Sequence, residues 1–526
     1  MVFLQIFRVL YLVGMVVLAG AIGPDPVSQQ LALFKENHPD TIGIMTTSAG
    51  APIELKDATI TLNSNLIFNE YFMDSITHFN RERIPERVVH AKGAGAFGYF
   101  EVTNDATDIC KAKLFSRIGK KTPVVVRFSL FIQERGGDDN SREPRGFAIK
   151  FYTEEGNFDL VGLNTPMFSI KDPILFTALA RVQSRNPATY LRDANMFWDF
   201  LTLRPEALHQ IIMIYSDHGI PNGYRHMPGF GIHTFEVINK HGVKHFIRFH
   251  LLPDAGIKSL TSEEARKISA EDPDYAIRDL YRSISLGEFP SWTVALQVLS
   301  LEDVKRAKID VFDISKVLPL EEYPLRPLGR LVLNKNPINN FAEIEQLAFN
   351  PSNLVPGILG SPDKLFEARR FAYRDTHNYR LGVNFNKIAV NCPIQAKVNP
   401  YNRDGRAPVK DNGRDIPNYF PNSFSGPMPY VDENRGEVIE IVQDEANNFK
   451  QAAELYTNDL NKEERTRLVE NLLYSLGGVT EVLQERAVKL FTIIHPDLGG
   501  RIAIGLHGNK TNSNQFMNLN VFNPSQ

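Results

Sequence analysis

Residues 144–162 read Pro-Arg-Gly-Phe-Ala-Ile-Lys-Phe-Tyr-Thr-Glu-Glu-Gly-Asn-Phe-Asp-Leu-Val-Gly, and this stretch decides the fold class. Two β-type runs, Phe147–Thr153 and Asn157–Gly162, flank Glu154-Glu155-Gly156. Apolar and aromatic residues on either side of a short polar, glycine-containing link predict an antiparallel hairpin. The same grammar continues outward. Gly95–Val102 alternates glycine, aromatic and apolar residues, Thr122–Ser129 is a short apolar strand, and His245–His250 alternates again. Between the strands, helices are expected at Tyr190–Leu203, Pro205–Ser216, Ser262–Ala270 and Pro273–Ser283. Thr261 and Glu264 form a capping box, Pro273 suits a first helical turn, and Trp198 faces inward.

Beyond this core the texture changes twice. From about residue 330 to 450 the chain is rich in Pro and Asn, with one good helix at Pro362–Tyr373. A stretch of that length is too long for a free loop, so it is expected to wrap a neighbouring domain or subunit. The segments Glu454–Leu476 and Val479–Ile494 then carry apolar residues at three- and four-residue spacing and read as helices. The fold class is α+β. The divisions are a signal-like segment at 1–22, an N-terminal arm at 23–85, a strand-rich core at 86–335, a wrapping segment at 336–450 and a helical unit at 451–526.

Composition narrows the function. The 526 residues carry 58 Lys+Arg against 61 Asp+Glu, a net charge of −3. No basic surplus exists for binding nucleic acid through its phosphates. Cys110 and Cys392 are the only cysteines, which excludes a disulfide scaffold and a Cys-rich metal site, while one disulfide between them stays open. Met1–Ile22 has one charge, Arg8, and an apolar run, Val9–Leu18, that ends in Ala19-Gly20-Ala21. It reads as a cleaved secretory signal, so the protein is expected in the secretory pathway or outside the cell. A retained anchor is the alternative, because a helix starting at Met1 could span a bilayer. The acceptor Asn509-Lys510-Thr511 suits a lumenal route, and the C-terminal tripeptide is not a peroxisomal one.

Two segments carry chemistry. In Arg83–Gly98, His90 stands at the mouth of a glycine-rich strand, where small residues let a planar ligand approach the backbone. In Arg369-Arg370-Phe371-Ala372-Tyr373, Arg369 and Tyr373 are four apart and share a helix face. A guanidinium beside a phenolic oxygen favours the tyrosinate that can ligate iron. Each segment alone also fits a bland account: a satisfied core histidine and a surface pair.

Together they resemble the distal and proximal signatures of monofunctional haem catalases, in which tyrosinate is the axial ligand of the haem iron. The resemblance runs from about residue 25 to 500. It includes the hairpin above, NTPMF, RNPATYLRD, RPEALHQ, EDPDYAIRDLY, FPSWT, VLNKNPINNFAEIEQLAF and VNCP. It implies the catalase fold: an eight-stranded antiparallel β-barrel with a wrapping loop and a C-terminal helical domain, assembled as a homotetramer. It also implies haem b as cofactor and hydrogen peroxide as substrate, disproportionated to water and dioxygen, and a peroxisomal or cytoplasmic location as the alternative to the secretory one. His90 matches the distal histidine that moves the peroxide's proton, and Ser129 the serine that fixes its tautomer. Tyr373 matches the iron ligand, supported by Arg369. Arg87, Arg127 and Arg380 match the arginines that pair with the haem propionates. Val89 and Phe176 match apolar residues against the haem face, and His233 a histidine on its proximal side.

Departures from that pattern bear on rate. Leu163, in Gly162-Leu163-Asn164-Thr165-Pro166, stands where the family has a distal asparagine. Losing one such donor costs about 10²–10³ in rate in strong cases, and a water or Asn164 is the available substitute. Phe131 stands for a channel valine, Ser169 for a phenylalanine and Glu143 for an aspartate. Arg370 and Arg374 replace an apolar residue and a proline beside the ligand. His218, Leu252, Leu318 and Leu320 fall where NADPH-binding residues are expected, so weak or no NADPH binding is expected although His209 and Ser216 remain. A peroxidase acting through the same haem, or an impaired haem-binding paralogue, is the alternative function.

Overall fold

The computed structural model describes residues 25–60, 65–406, 411–422, 425–432 and 447–516. The signal-like segment at 1–22 lies outside the described residues. Among the described residues ten strands form one antiparallel sheet: β1 (Gly93–Val102), β2 (Lys121–Leu130), β3 (Arg145–Thr153), β4 (Gly156–Leu163), β5 (Gly229–Phe230), β6 (Phe235–Ile238), β7 (Lys244–Pro253), β8 (Ser291–Ser300), β9 (Arg326–Lys335) and β10 (Ile358–Gly360). The order β7-β5-β4-β3-β2-β1-β9-β8 returns to β7 through the β7–β8 ladder. Eight strands therefore close a barrel, which leaves no free edge, with β6 and β10 attached at the side of β7.

The barrel interior is packed with aromatic and branched side chains. Phe128 stacks on Tyr224 with ring centroids 5.0 Å apart, and Phe147 meets Trp292 edge-on. The outer face is covered as well, which is why all nine residues of β3 are buried. Lys150 and Asp159, paired across the hairpin, would be costly in that position alone. They form an ion pair of 2.7 Å, and Asp159 also accepts from Asn350 N and Asn353 Nδ2 at 2.8 Å each. The covering segment is stapled by Asn391. Its amide accepts from Ala348 N and donates to the carbonyls of Gln346 and Phe385.

Helices Ala194–Thr202 and Leu208–Tyr215 pack with the C-terminal helices Lys462–Leu476 and Glu481–Ile494 into a second core. Trp198 is buried there and donates from Nε1 to Ser475 Oγ. Among the described residues no helix is long and apolar enough to cross a membrane.

Several boundaries differ from expectation, each for a local reason. The helix expected at Pro362–Tyr373 runs Lys364–Leu381, capped by Asp363 and ended by Gly382 at φ 92°. The stretch Glu454–Leu476 is not one helix. A π-turn at Leu455–Asp459 ends the first piece, and an Asn461/Glu464 capping box starts a new one. Pro273 lies outside its helix, which begins at Tyr275. β8 and β9 lack a clear alternation because β8 is buried on both faces, its polar Ser291 and Gln297 included, and β9 is broken by Pro327 and Gly329. A final helix, Pro496–Phe516, follows, and the Asn509–Thr511 acceptor falls within its backbone. Cys110 and Cys392 are free thiols.

Candidate active site

Gly93, Ser129, Gly146 and Leu163 line up across β1–β4, and residues paired in this way share a face. His90 enters just before β1 with φ 64°, a left-handed conformation rare for residues with a Cβ. Its N–H donates to Phe131 O at 2.8 Å, which anchors that turn. The turn sets His90 Nδ1 3.0 Å from Ser129 Oγ. Gly146 is what makes room for the pair: a Cβ there would lie 2.5 Å from Ser129 Oγ and 2.9 Å from His90 Nδ1. The Phe131 ring closes on the imidazole edge-on, with centroids 5.4 Å apart. Burial, with Arg127, Arg369 and Arg87 nearby, pushes the imidazole down to about 3, so it is neutral at pH 7. Val89, its neighbour, is half-buried.

Next to His90 the arginines converge. Arg127 donates to the carbonyls of His90 and Ala91 at 2.8 and 3.0 Å. A π-turn at Phe341–Glu345 supplies most of the rest. Arg87 Nη2 donates to the carbonyls of Ile344, Glu345 and Leu347, and Arg380 Nη2 to that of Glu345. Burial pushes Arg127 down to about 10, which leaves it protonated at pH 7. Arg127 Nε and Arg380 Nη1 are buried without a hydrogen-bond partner. Orphaned guanidinium donors beside a glycine-lined strand wall fit an anionic, flat-faced group.

The second constellation lies on the Lys364–Leu381 helix. Arg369 Nη2 donates to Tyr373 Oη at 3.0 Å and to Val161 O at 2.9 Å, which ties the helix to β4. Arg369 Nη1 lies 2.7 Å from His233 Nε2, and His233 Nδ1 lies 2.7 Å from Asp363 Oδ2. Arginine can only donate, so Nε2 accepts and Nδ1–H donates to the carboxylate. Burial lowers His233 and keeps this neutral form. Asp363 also accepts from Phe366 N as the helix cap and from Ser361 Oγ. Arg380 lies near the end of the same helix, so one element presents both constellations.

The remaining expectations fare differently. Phe176 opens a helix, half-buried, and packs against the second core beside Phe168 and Leu175. Leu163 is 6% exposed and clusters with Ile232, Ile314 and Leu365. Asn164 Oδ1 accepts from Arg145 N at 2.8 Å, which ties this side chain to the hairpin. Sequence reasoning missed Asp363, Gly146 and Glu345. Only Asp363 had a local signal, the Ser-Pro-Asp start of a helix.

A family model described as "Catalase" matches residues 46–426. The chain belongs to the catalase family of enzymes. A second model, "Catalase-related immune-responsive", matches residues 442–506. Catalases of Sus scrofa and Drosophila melanogaster are each 49% identical to it, over 91% of this chain and 93% and 97% of theirs. Among solved structures, catalase A from Saccharomyces cerevisiae matches with a TM-score of 0.84 at 42% identity, covering 88% of this chain and 99% of that one. A fungal catalase matches with the same TM-score at 40% identity, covering 89% and 98%. The catalase fold and the eight-stranded barrel expected from the sequence are those observed.

Proposed function

We propose that the chain is a haem catalase that converts two hydrogen peroxide molecules to two waters and dioxygen. The observation that carries this is the neutral His90, held by Ser129 beside two orphaned arginine nitrogens, with Tyr373 Oη held by Arg369 on the helix that also bears Arg380. Arg127, Arg380 and Arg87 would hold the carboxylates of haem b, Val89 and Phe176 would flank its face, and Tyr373 would ligate its iron. Bound haem would supply the two-electron exchange between one peroxide and the next.

The protein's own part is proton handling. With Nδ1–H donating to Ser129 Oγ, His90 Nε2 keeps its lone pair and takes the proton from one oxygen of the peroxide. It returns that proton to the other oxygen, so the O–O bond breaks with water as the leaving group. The burial and positive neighbours that lower His90 make the return transfer favourable. Leu163 adds no donor to this wall, which supports a slower enzyme than an asparagine would give. Oxygen release by haem-loaded wild type against His90→Ala tests the proposal. Equal rates would refute it and favour a haem-binding paralogue, while faster turnover of phenolic donors than of peroxide would favour a peroxidase.

The Met1–Ile22 segment supports a secretory route, and N-terminal sequencing of protein recovered from medium tests it. Homotetramer assembly is supported by the apolar arm, where Leu31, Ile42, Ile44 and Phe68 are each about 80% exposed, and sedimentation of the full chain tests that. Weak or absent NADPH binding is supported by Gln451, which donates to Val317 O and accepts from Val317 N, next to Leu318 in the chain, and titration with NADPH tests it.

A further inference from the structure

The arginine cluster beside His90 has a fourth member that no motif pointed to. Arg135, on the loop between β2 and β3, donates from Nη2 to Glu345 Oε1 at 3.1 Å. Glu345 also lies 3.5 Å from Arg87 and 3.4 Å from Arg380. One carboxylate, 13% exposed at its side chain, thus gathers three guanidiniums, and they hold its acidity well on the ionised side despite burial. Arg135 is the outermost: its side chain is 45% exposed, against 10% for Arg87 and 1% for Arg380.

The loop that carries Arg135 is tied down on three sides. Arg135 N donates to Glu86 Oε2, Glu134 pairs with Arg185 at 2.6 Å, and Lys92 N donates to Gln133 O. This loop therefore lies as a strap along the turn that bears His90, just before β1. Arg135 closes it onto Glu345, the carboxylate that also meets Arg380, whose Nη1 is unpartnered.

We propose that Arg135 is a positioning residue for cofactor retention. Through Glu345 it orients Arg87 and Arg380 toward the carboxylates of the bound tetrapyrrole and shuts that end of the pocket to water. This rests on the haem reading above. It assigns the anionic edge of the ligand to a network of four arginines and one glutamate rather than to three arginines.

The test is haem loss from the full-length, haem-loaded protein to excess apomyoglobin, followed by absorbance. Arg135→Ala should speed loss about fivefold, the effect expected of a half-exposed ion pair in a network, and Glu345→Gln should speed it at least as much. The double variant should be no faster than Glu345→Gln alone, because both changes break one connection. Arg135→Lys should recover part of the retention, and the wild-type advantage should shrink as salt rises. An Arg135→Ala rate equal to wild type, or single effects that multiply in the double variant, would overturn the proposal and leave the haem reading standing. A wild-type chain that takes up no haem would overturn both.

Discussion

At the residue scale, His90 and Leu163 define what the pocket can do. The imidazole is held neutral by burial and by positive neighbours, so its titration lies near 3 rather than at the usual histidine range. The rate of oxygen release should therefore stay flat from pH 8 to about 5, with no acid limb centred near 6.5. A pH–rate profile at fixed haem content checks this. Leu163 shares a wall with Gly146, whose hypothetical Cβ would touch His90. Leu163→Asn restores a donor on that wall and should raise oxygen release by about 10². An unchanged rate would show that the amide is dispensable here. Gly146→Ala should separate His90 from Ser129 and cut the rate at least tenfold, since neither neighbour has slack at 2.5 and 2.9 Å.

At the element scale, the Lys364–Leu381 helix carries the proximal chemistry and is held at its start by one side chain. Asp363 caps the helix and anchors His233, which positions Arg369 against Tyr373. Asp363→Ala removes a cap worth about 1 kcal/mol and leaves a buried imidazole without its acceptor, at about 1–3 kcal/mol more. Denaturant unfolding should show a loss of at least about 2 kcal/mol, with a shifted haem absorption band. This helix also shows what the sequence made legible. The four-residue spacing of Arg369 and Tyr373 told their geometry directly. The partnership with His233 and Asp363 did not show, because residues 130 positions apart are joined only by the barrel. The strands follow the same rule. The β3–β4 hairpin announces itself through its turn. β8 hides because burial on both faces erases alternation, and the arginine–glutamate network hides because a π-turn, not a motif, aims Glu345.

At the scale of the whole molecule, the buried histidines set acid tolerance. His90 and His377 are pushed down to about 3, and His209 and His250 to about 4, all chiefly by burial. Between pH 6.5 and 4 the unfolded chain binds protons that the folded chain refuses, so stability is full above 6.5 and falls as pH drops through this window. Asp139, pushed up to about 6 by burial, works in the opposite direction, as do Glu143, Asp159 and Glu236, which burial also raises, while His233 and His245, lowered by burial, add to the histidine side. Melting temperature should therefore fall steadily from pH 7 to pH 4, and scanning calorimetry in matched buffers checks it. A profile flat or rising toward pH 4 would mean that the raised carboxyls, Asp139, Glu143 and Asp159 among them, outweigh the histidines.

The central claim, a haem catalase driven by His90 opposite a tyrosinate ligand, is tested most directly by oxygen evolution from millimolar hydrogen peroxide. Purified haem-loaded wild type and His90→Ala would be compared, with absorption spectra recorded alongside. The account predicts oxygen release from wild type at least 10²-fold faster than from His90→Ala, with a high-spin ferric, tyrosinate-type spectrum in both. Haem bound in both proteins with equal oxygen release, or a spectrum unchanged by Tyr373→Phe, would contradict it.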